Sequence, residues 1–459
     1  MKNIRLVAAC CLICASAAAQ NKGAITPELL DQLRANNRIT AQDKAIRNAM
    51  NTTSIATLAL NSENLANVDT HFSDEVKTKG ITDQQRSGRC WLFTGLNVLR
   101  AQMISQYNLG EFQFSQNYCF FYDQLEKSNL FLQGIIDTRK LPLDDRKVDW
   151  LLKHPLSDGG TFTGVSNLVM KYGLVPSEVM PETLIANNTS VFASRLSELL
   201  RQDALRLREA KNEKAAMKLK EQMLGEIYHL LCLCFGEPPV EFEWTMYDAA
   251  GNKVSTKTYT PKSFYEEYLG QDLEHSYVML MNDPSRPYNK VYEIDYDRHV
   301  YEGDNWLYLN LPIERIKEMA IASIKANKAM YFSCDVNKFL NRNNGTMDLN
   351  NFDYESLLGV DYTMDKRERI ITYTSGSSHA MTLVAVDLDE NGVPKKWMVE
   401  NSWGRTGFNG KLIMTDEWFN EYMFRLVVEE QFVPEELKAL LQQKPVQLPA
   451  WDPMFAGEE

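Results

Sequence analysis

The stretch Gln84-Gln85-Arg86-Ser87-Gly88-Arg89-Cys90-Trp91 carries the residues that decide the fold of this 459-residue chain. From Cys90 onward, leucine and methionine recur at spacings of three and four, which predicts a helix from the cysteine to Gln106. The dipole at a helix N-terminus favours negative charge, and a cysteine attacks a carbonyl carbon as the thiolate. We therefore predict that Cys90 is a nucleophile with a lowered pKa.

A glutamine six residues before Cys90 makes this pattern specific, since a cysteine followed by tryptophan is a weak signal and most single cysteines are core residues. A side-chain amide at that distance can turn back and donate a hydrogen bond to an oxyanion, beside the backbone N–H of Cys90. Spacing alone allows either Gln84 or Gln85 to be that donor.

Partners for the nucleophile occur far along the chain. His379 opens an apolar stretch that predicts a strand to Val386, and a second predicted strand ends in Asn401. Asn391-Gly392 between them predicts an antiparallel turn, so His379 should lie roughly opposite Asn401. A neutral carboxamide there can accept a hydrogen bond from the imidazole and fix its tautomer. The alternative interpretation is a buried hairpin with an incidental histidine.

The N-terminus has the pattern of a signal peptide. Two basic residues, Lys2 and Arg5, precede the apolar run Leu6–Ala15, and Ala17-Ala18-Ala19 fits cleavage before the next residue. A lipoprotein cleavage box ending at Cys10 is the less favoured alternative. We therefore predict an exported protein, periplasmic or extracellular.

Composition excludes several other classes. A content of 44% hydrophobic and 24% charged residues is that of a soluble globular protein. The formal net charge of −12 disfavours a nucleic-acid partner. No segment after the signal has 18 uninterrupted apolar residues, so we expect no membrane contact once the signal is removed.

Cysteine usage predicts no disulfide framework and no metal site. Removal of the signal leaves an odd number of cysteines, so at least one thiol stays unpaired or forms an intermolecular bond. Apart from Cys90, we expect all of them to be small buried core residues; these are Cys119, Cys232, Cys234 and Cys334. Cys232 and Cys234 lack a second ligand pair, so zinc is not expected, nor is any other cofactor.

Together these motifs resemble the papain superfamily, whose pattern is Gln, five residues, Cys-Trp, then His, then Asn-Ser-Trp-Gly. The cysteine and histidine are 379 − 90 = 289 positions apart, against about 130–150 in the papain and cathepsin branch, so large insertions are predicted. Further stretches resemble the bleomycin hydrolase/aminopeptidase C family: Asp158-Gly159-Gly160, Tyr288-Asn289-Lys290, Asp416-Glu417-Trp418-Phe419 and Pro449-Ala450-Trp451-Asp452-Pro453-Met454.

The resemblance implies an α+β papain-like fold, with a helical lobe and a β-barrel-like lobe, large helical insertions and a C-terminal arm. The corresponding segments are a signal peptide (1–19), an N-terminal extension (20–70), the helical lobe with Cys90 (71–190), a helical or hook insertion (191–300), the β lobe with His379 and Asn401 (301–435), and an arm reaching the active site (436–459).

The resemblance also implies a function, that of a cysteine aminopeptidase acting on peptides, built as a ring-shaped homohexamer. The resemblance selects Gln84 as the residue that donates a hydrogen bond to the oxyanion, and it places Gly159 and Gly160 along the substrate groove. On residue type alone, a simple turn is an almost equally good interpretation of this glycine pair. Trp91 and Trp403 are further expected substrate-cleft residues.

In the resembling family the terminal carboxylate, here that of Glu459, holds the N-terminal ammonium of the peptide. The acidic ending of this chain leaves open an endopeptidase or an amidase whose arm does not gate the cleft. A peptide-binding scaffold without catalysis is a further alternative.

Overall fold

A computed structural model describes residues 23–64 and 69–453. The described residues form fifteen α-helices: α1 (Pro27–Asn36), α2 (Ala41–Met50), α3 (Ile55–Ala59), α4 (Cys90–Tyr107), α5 (Gln116–Thr138), α6 (Arg146–Lys153), α7 (Phe162–Tyr172), α8 (Ser190–Arg208), α9 (Glu213–Phe235), α10 (Pro261–Tyr268), α11 (Ile313–Lys325), α12 (Tyr354–Leu358), α13 (Lys366–Ile371), α14 (Asp416–Tyr422) and α15 (Glu435–Leu441). None of these helices is long and apolar enough to cross a membrane.

The same residues form fourteen strands: β1 (Asp74–Glu75), β2 (Phe242–Tyr247), β3 (Lys253–Tyr259), β4 (Tyr277–Met281), β5 (Lys290–Ile294), β6 (Leu307–Asn310), β7 (Met330–Cys334), β8 (Leu340–Asn341), β9 (Thr346–Met347), β10 (His379–Leu388), β11 (Pro394–Glu400), β12 (Lys411–Thr415), β13 (Met423–Glu429) and β14 (Val446–Leu448). One sheet has the order β14-β5-β6-β4-β13-β7-β10-β11-β12-β9-β8, with β1 also pairing with β10. A separate hairpin joins β2 to β3.

The chain divides into two compact units. The described part of the smaller one consists of residues 23–60 and 352–361. Thr26, Thr40 and Ser54 cap its first three helices with side-chain hydrogen bonds, and residues 59–60 bond to residues 352–353. The described part of the predicted N-terminal extension therefore contains three helices. The described part of the larger unit consists of residues 61–64, 69–351 and 362–453.

The helix that begins at Cys90 lies between other helices and the sheet. α4 packs against α7 and against the central strand β10. The predicted apolar positions Leu92, Leu96, Leu99 and Met103 are all buried. This packing brings the N-terminus of α4 to the sheet that carries His379.

The segment that was assigned to a helical or hook insertion, 191–300, contains two long helices near its start, α8 and α9. Asn212 caps α9 by accepting the backbone N–H of Ala215, and Gly236 ends it with a positive φ of 89°. Their buried stripes pack on α5, which joins them to the helical core.

The predicted hairpin is present as β10 and β11, paired antiparallel. Its register differs from the expectation, because Thr382 lies opposite Glu400, so β11 ends before it reaches His379. The backbone of His379 instead pairs with Cys334 on the neighbouring strand β7. Asn401 approaches the histidine from the loop after β11.

Two further expectations need correction. The sheet takes β4 and β5 from the segment 191–300 that was assigned to a helical insertion, because parallel and antiparallel pairing incorporates them beside β6 and β13. Cys119 and Cys334 are buried as expected, whereas Cys232 and Cys234 are only half-buried because both lie near the C-terminal end of α9.

Candidate active site

Cys90 begins α4, and the loop before it is held by a carboxylate. The backbone N–H of Gly88 donates to Asp158 Oδ2 at 2.7 Å, and Thr189 Oγ1 donates to the same oxygen at 2.5 Å. A Cβ at Gly88 would lie 2.2 Å from Asp158 Oδ1, so only glycine fits this close approach. This contact fixes the loop from which Cys90 enters the helix.

The imidazole of His379 is held by two neighbours. Its Nε2 lies 2.8 Å from Oδ1 of Asn401, and its ring stacks on Trp403 with centroids 4.8 Å apart and an angle of 30°. Asn401 Oδ1 also accepts the backbone N–H of Ser402 at 2.8 Å. An oxygen that accepts from Ser402 accepts from the histidine as well, so Nε2 carries a proton and Nδ1 is left to face the cleft.

Both heteroatoms of the Gln84 side-chain amide form hydrogen bonds. Its Nε2 donates to the carbonyl of Ser87 at 2.7 Å, and its Oε1 accepts from Ser402 Oγ at 2.6 Å. The second hydrogen on Nε2 is available to another acceptor. Gln85 is exposed, has a φ of 54° and donates its amide to Asp83. Of the two glutamines, the geometry favours Gln84.

One cavity of about 190 Å³ brings the predicted residues together. It is lined by Gln84, Gly88, Cys90, Asp158, Gly159, Gly160, Tyr331, Ser333, Ser378, His379 and Ala380. Asn401 and Trp403 contact His379 from outside this lining. Cys90, His379 and Gln84 are thus gathered around a single small space, while their catalytic roles remain predictions.

The wall of this cavity at Gly159 and Gly160 rests on a buried network for which no motif in the chain provided a signal. Lys127 Nζ donates to the carbonyl of Ser157 at 3.0 Å and to that of Gly159 at 2.5 Å, and it pairs with Asp123 at 3.0 Å. The ammonium thus replaces water for two carbonyls of the groove and fixes their direction.

His299 completes this network. Its Nδ1 lies 2.5 Å from Asp123 Oδ1, and its ring contacts Trp91 edge-on with centroids 4.7 Å apart. A Cβ at Gly160 would lie 2.4 Å from the His299 ring and 2.8 Å from Trp91. His299 is thus a buried histidine whose ring is held by hydrogen-bonding and aromatic partners.

Trp91 lies beneath the groove instead of lining it. Its side chain is fully buried, and its Nε1 donates to the carbonyl of Asp158 at 2.8 Å. The expectation of direct substrate contact therefore does not fit the geometry, because Gly160 covers the indole. Glu459, the other expected substrate-cleft residue at a chain end, lies outside the described residues.

The protonation of the pair differs from the expected thiolate. Burial raises the pKa of Cys90 to about 11, against the effect of the Ala380 backbone N–H. Burial lowers the pKa of His379 to about 4; the hydrogen bond that its imidazole donates to Asn401 opposes this shift, and the cation of Arg342 adds to it. The prediction of a lowered Cys90 pKa was wrong, because desolvation in the cavity outweighs the helix terminus. Burial of each group therefore disfavours its charged form, thiolate for Cys90 and imidazolium for His379.

Metal ligation finds no support in the described ranges, where no three histidine, cysteine or acidic side chains converge as a metal site would need.

A cysteine at the N-terminus of a buried helix, facing a histidine at the start of a sheet strand, defines the papain-like α+β class of protein. The chain belongs to the Peptidase C1-like family, whose model matches residues 24–455. The resemblance and the fold class predicted from the sequence are thereby confirmed.

Several relatives are similar over most of their length. The chain is 41% identical to human bleomycin hydrolase over 396 residues, which covers 83% of this chain and 87% of the relative. It is 36% identical to aminopeptidase C of Lactobacillus delbrueckii subsp. lactis, covering 89% and 93% of the two chains. The crystal structure of PepW from Lactobacillus rhamnosis HN001 superposes with a TM-score of 0.90 at 35% identity, covering 94% and 99%. The enzyme class is accordingly that of a cysteine-type aminopeptidase.

Proposed function

We propose that this enzyme releases N-terminal residues from peptides through Cys90 as nucleophile, His379 as proton carrier and Asn401 as the residue that orients the imidazole. The observation that carries the proposal is the single cavity shared by Cys90, His379 and Gln84, combined with the 2.8 Å contact between His379 and Asn401. Residues from three distant parts of the chain meet there with the chemistry that acyl transfer needs.

Transfer of the thiol proton to the imidazole begins the sequence of events. As Cys90 Sγ attacks the carbonyl carbon after the first residue, its proton passes to Nδ1 of His379. The oxyanion that forms accepts hydrogen bonds from Gln84 Nε2 and from the Cys90 backbone N–H. The imidazolium then gives its proton to the leaving amine, and the C–N bond breaks to leave a thioester. His379 next takes a proton from water, whose oxygen attacks the thioester carbon. The C–S bond then breaks, the first residue leaves with a free carboxyl group, and His379 returns the proton to Cys90.

Replacement of the nucleophile tests this mechanism directly. Cys90→Ala should abolish turnover while leaving the fold intact, since the substitution removes only one sulfur atom. Cys232→Ala, at a half-buried cysteine on α9, is the matched control and should retain full activity. Undiminished hydrolysis by the Cys90→Ala variant would refute the mechanism. A thiol-directed covalent inhibitor that fails to label Cys90 would favour the alternative of a peptide-binding scaffold.

We propose further that the C-terminal arm ending in Glu459 limits cleavage to free N-termini, since a carboxylate in a partly desolvated cleft can pair with the ammonium of the first residue. Incubation with matched free and N-acetylated peptides, followed by mass spectrometry, tests this. Stepwise loss from the free peptides alone supports an aminopeptidase gated by the arm. Equal cleavage of the acetylated peptides would point to an endopeptidase or amidase with an open groove.

Export and assembly belong to the same proposal. The pattern Ala17-Ala18-Ala19 supports removal of residues 1–19, which predicts that the mature protein begins at Gln20. The resemblance to the bleomycin hydrolase family supports a homohexamer, and Leu29, Leu30 and Leu33 on α1 are exposed apolar residues that such an assembly could cover. N-terminal sequencing of the secreted protein and light scattering of the purified protein test the two points. An uncleaved N-terminus or a monomeric mass would contradict them.

A further inference from the structure

A cation lies beyond the histidine on the side away from the cavity. His379 stacks on Trp403, and the guanidinium carbon of Arg342 lies 4.7 Å from the centre of the same indole. Arg342 comes from the loop between β8 and β9, far in sequence from both rings. Neither Trp403 nor Arg342 lines the cavity that holds Cys90. The three side chains form one continuous surface that leads from the reacting atoms to solvent.

The position of His379 assigns this surface to one half of the substrate. The imidazole must lie within hydrogen-bonding reach of the departing nitrogen in order to protonate it. The leaving portion of the peptide therefore passes on the His379 side of the attacked carbonyl. The first residue occupies the cavity walled by Gly159 and Gly160, and the remainder of the peptide extends over Trp403 towards Arg342.

The guanidinium is suited to bind a carboxylate there. Arg342 is exposed, and its Nη2 donates to Asn337 Oδ1 at 2.7 Å. A guanidinium carries five N–H donors in a planar fork, so donors remain for a second partner. The indole holds the group by a cation–π contact, which reduces the entropy lost on binding a ligand.

Two other charged residues flank this surface. Asp83 lies close to Gly404, where a Cβ would be 2.8 Å from its Oδ2, and its carboxylate already accepts the backbone and side-chain N–H groups of Gln85. Arg405 donates to Asn409 Oδ1 at 2.8 Å. Arg405 is therefore the rival cation, and any experiment on Arg342 has to include it.

We propose that Arg342 is a specificity-determining residue that binds a carboxylate in the leaving portion of the peptide. The carboxylate is the free C-terminus of a short peptide or an acidic side chain next to the cleaved bond. The proposal depends on one step of the mechanism proposed above, the protonation of the leaving amine by His379. It predicts that the enzyme favours short or acidic peptides over neutral, C-terminally blocked ones.

Paired substrates that differ in one charge test the proposal. Ala-Ala and Ala-Ala-amide differ at the C-terminus, and Ala-Glu-Ala-amide and Ala-Gln-Ala-amide differ in the side chain. For the wild-type enzyme we expect kcat/KM to be about two- to fivefold higher for the charged member of at least one pair, as befits an exposed ion pair. Arg342→Gln should bring that ratio to about one, and Arg342→Lys should restore part of it. The ratio cancels any general effect of the substitution on His379.

Two controls fix the assignment. Arg405→Gln removes the neighbouring cation, and Arg195→Gln removes an exposed arginine on α8 that pairs with Glu198. Both variants should keep the wild-type ratio. The proposal would be overturned if the wild-type enzyme showed a kcat/KM ratio of one for both substrate pairs, or if the ratio were unchanged in Arg342→Gln. Loss of the preference in Arg405→Gln alone would also overturn it. Failure of the Cys90→Ala test would instead reject the mechanism and leave these ratios measurable.

Discussion

His379 and Asn401 lie 22 positions apart in the chain, and Nε2 of the imidazole is 2.8 Å from Oδ1 of the carboxamide. Asn401 Oδ1 is itself fixed by the backbone N–H of Ser402. The carboxamide thereby selects the tautomer with its proton on Nε2 and leaves the lone pair of Nδ1 for the thiol. A neutral acceptor does this without adding a negative charge to the buried site.

Removal of this acceptor should slow the reaction without weakening substrate binding. In Asn401→Ala the imidazole loses the partner that sets its tautomer and tilt, so we expect kcat to fall about 10²-fold with little change in KM. Steady-state kinetics on one unblocked peptide measures this. Asn391→Ala, on the exposed turn between β10 and β11, is the control and should behave as wild type. A KM effect with an unchanged kcat would argue that Asn401 serves substrate binding.

The pH dependence of activity should reflect the lowered pKa of His379, about 4. Only the neutral imidazole can take the thiol proton, and a lowered pKa keeps it neutral to lower pH. We therefore expect kcat/KM to hold from neutrality down to about pH 5 and to fall about tenfold per unit well below pH 4. Asn401→Asp places a negative charge beside the ring, which raises its pKa, so the acid limb should move to higher pH. An acid limb at the ordinary histidine value would contradict this account.

Arg100 and Glu400 form a buried ion pair at the end of β11, directly before Asn401. We expect this pair to affect the stability of the fold. Burial lowers the pKa of Arg100 and raises that of Glu400 despite their mutual attraction, so desolvation outweighs the pairing. Glu400→Gln leaves a buried cation unpaired and should cost about 3–5 kcal/mol in the free energy of unfolding, measured by urea denaturation.

The double variant Arg100→Met/Glu400→Leu removes both charges and should recover most of that loss. Glu198→Gln, which breaks the exposed pair with Arg195, should leave the free energy of unfolding nearly unchanged. If the double variant is as unstable as Glu400→Gln, the loss does not come from the unpaired charge of Arg100. The fold would then require the shape and hydrogen bonds of the original pair.

Two helical glycines should respond in opposite ways to alanine. A Cβ at Gly164 on α7 would lie 2.3 Å from the buried ring of His299, whereas a Cβ at Gly225 on α9 meets no atom within 4 Å. Gly164→Ala should therefore cost about 1–3 kcal/mol by overpacking, and Gly225→Ala should gain about 0.5–1 kcal/mol from helix propensity. Thermal unfolding of the two variants checks both signs. If Gly164→Ala stabilises the protein as much as Gly225→Ala does, the ring of His299 must be able to move away from the added methyl group.

The first of these glycines also tests the substrate groove. Displacement of His299 should disturb Lys127 and the carbonyls of Ser157 and Gly159 that it binds. We expect Gly164→Ala to raise KM for peptides even at temperatures where the variant remains folded. Unchanged kinetics with lowered stability would confine the network to a structural role.

Much of the site could be predicted from local patterns. The periodic leucines after Cys90 fixed a helix with its N-terminus at the thiol, and a turn dipeptide between two apolar runs fixed the hairpin of β10 and β11. Both signals are local, because they depend on side chains a few positions apart. The register was not accessible in this way, and the structure places the backbone of His379 opposite Cys334.

The family, the helix that begins at Cys90 and the residue types of the site were all legible in the chain alone, because short motifs and their order can be recognised without a fold. Other features became apparent only in three dimensions: the burial that shifts the pKa values of Cys90 and His379, the burial of Trp91, the network of Asp123, Lys127 and His299, and the contact of Arg342 with the indole of Trp403. Desolvation and contacts between distant segments depend on packing, and no local pattern in the chain encodes how deeply a given side chain is buried.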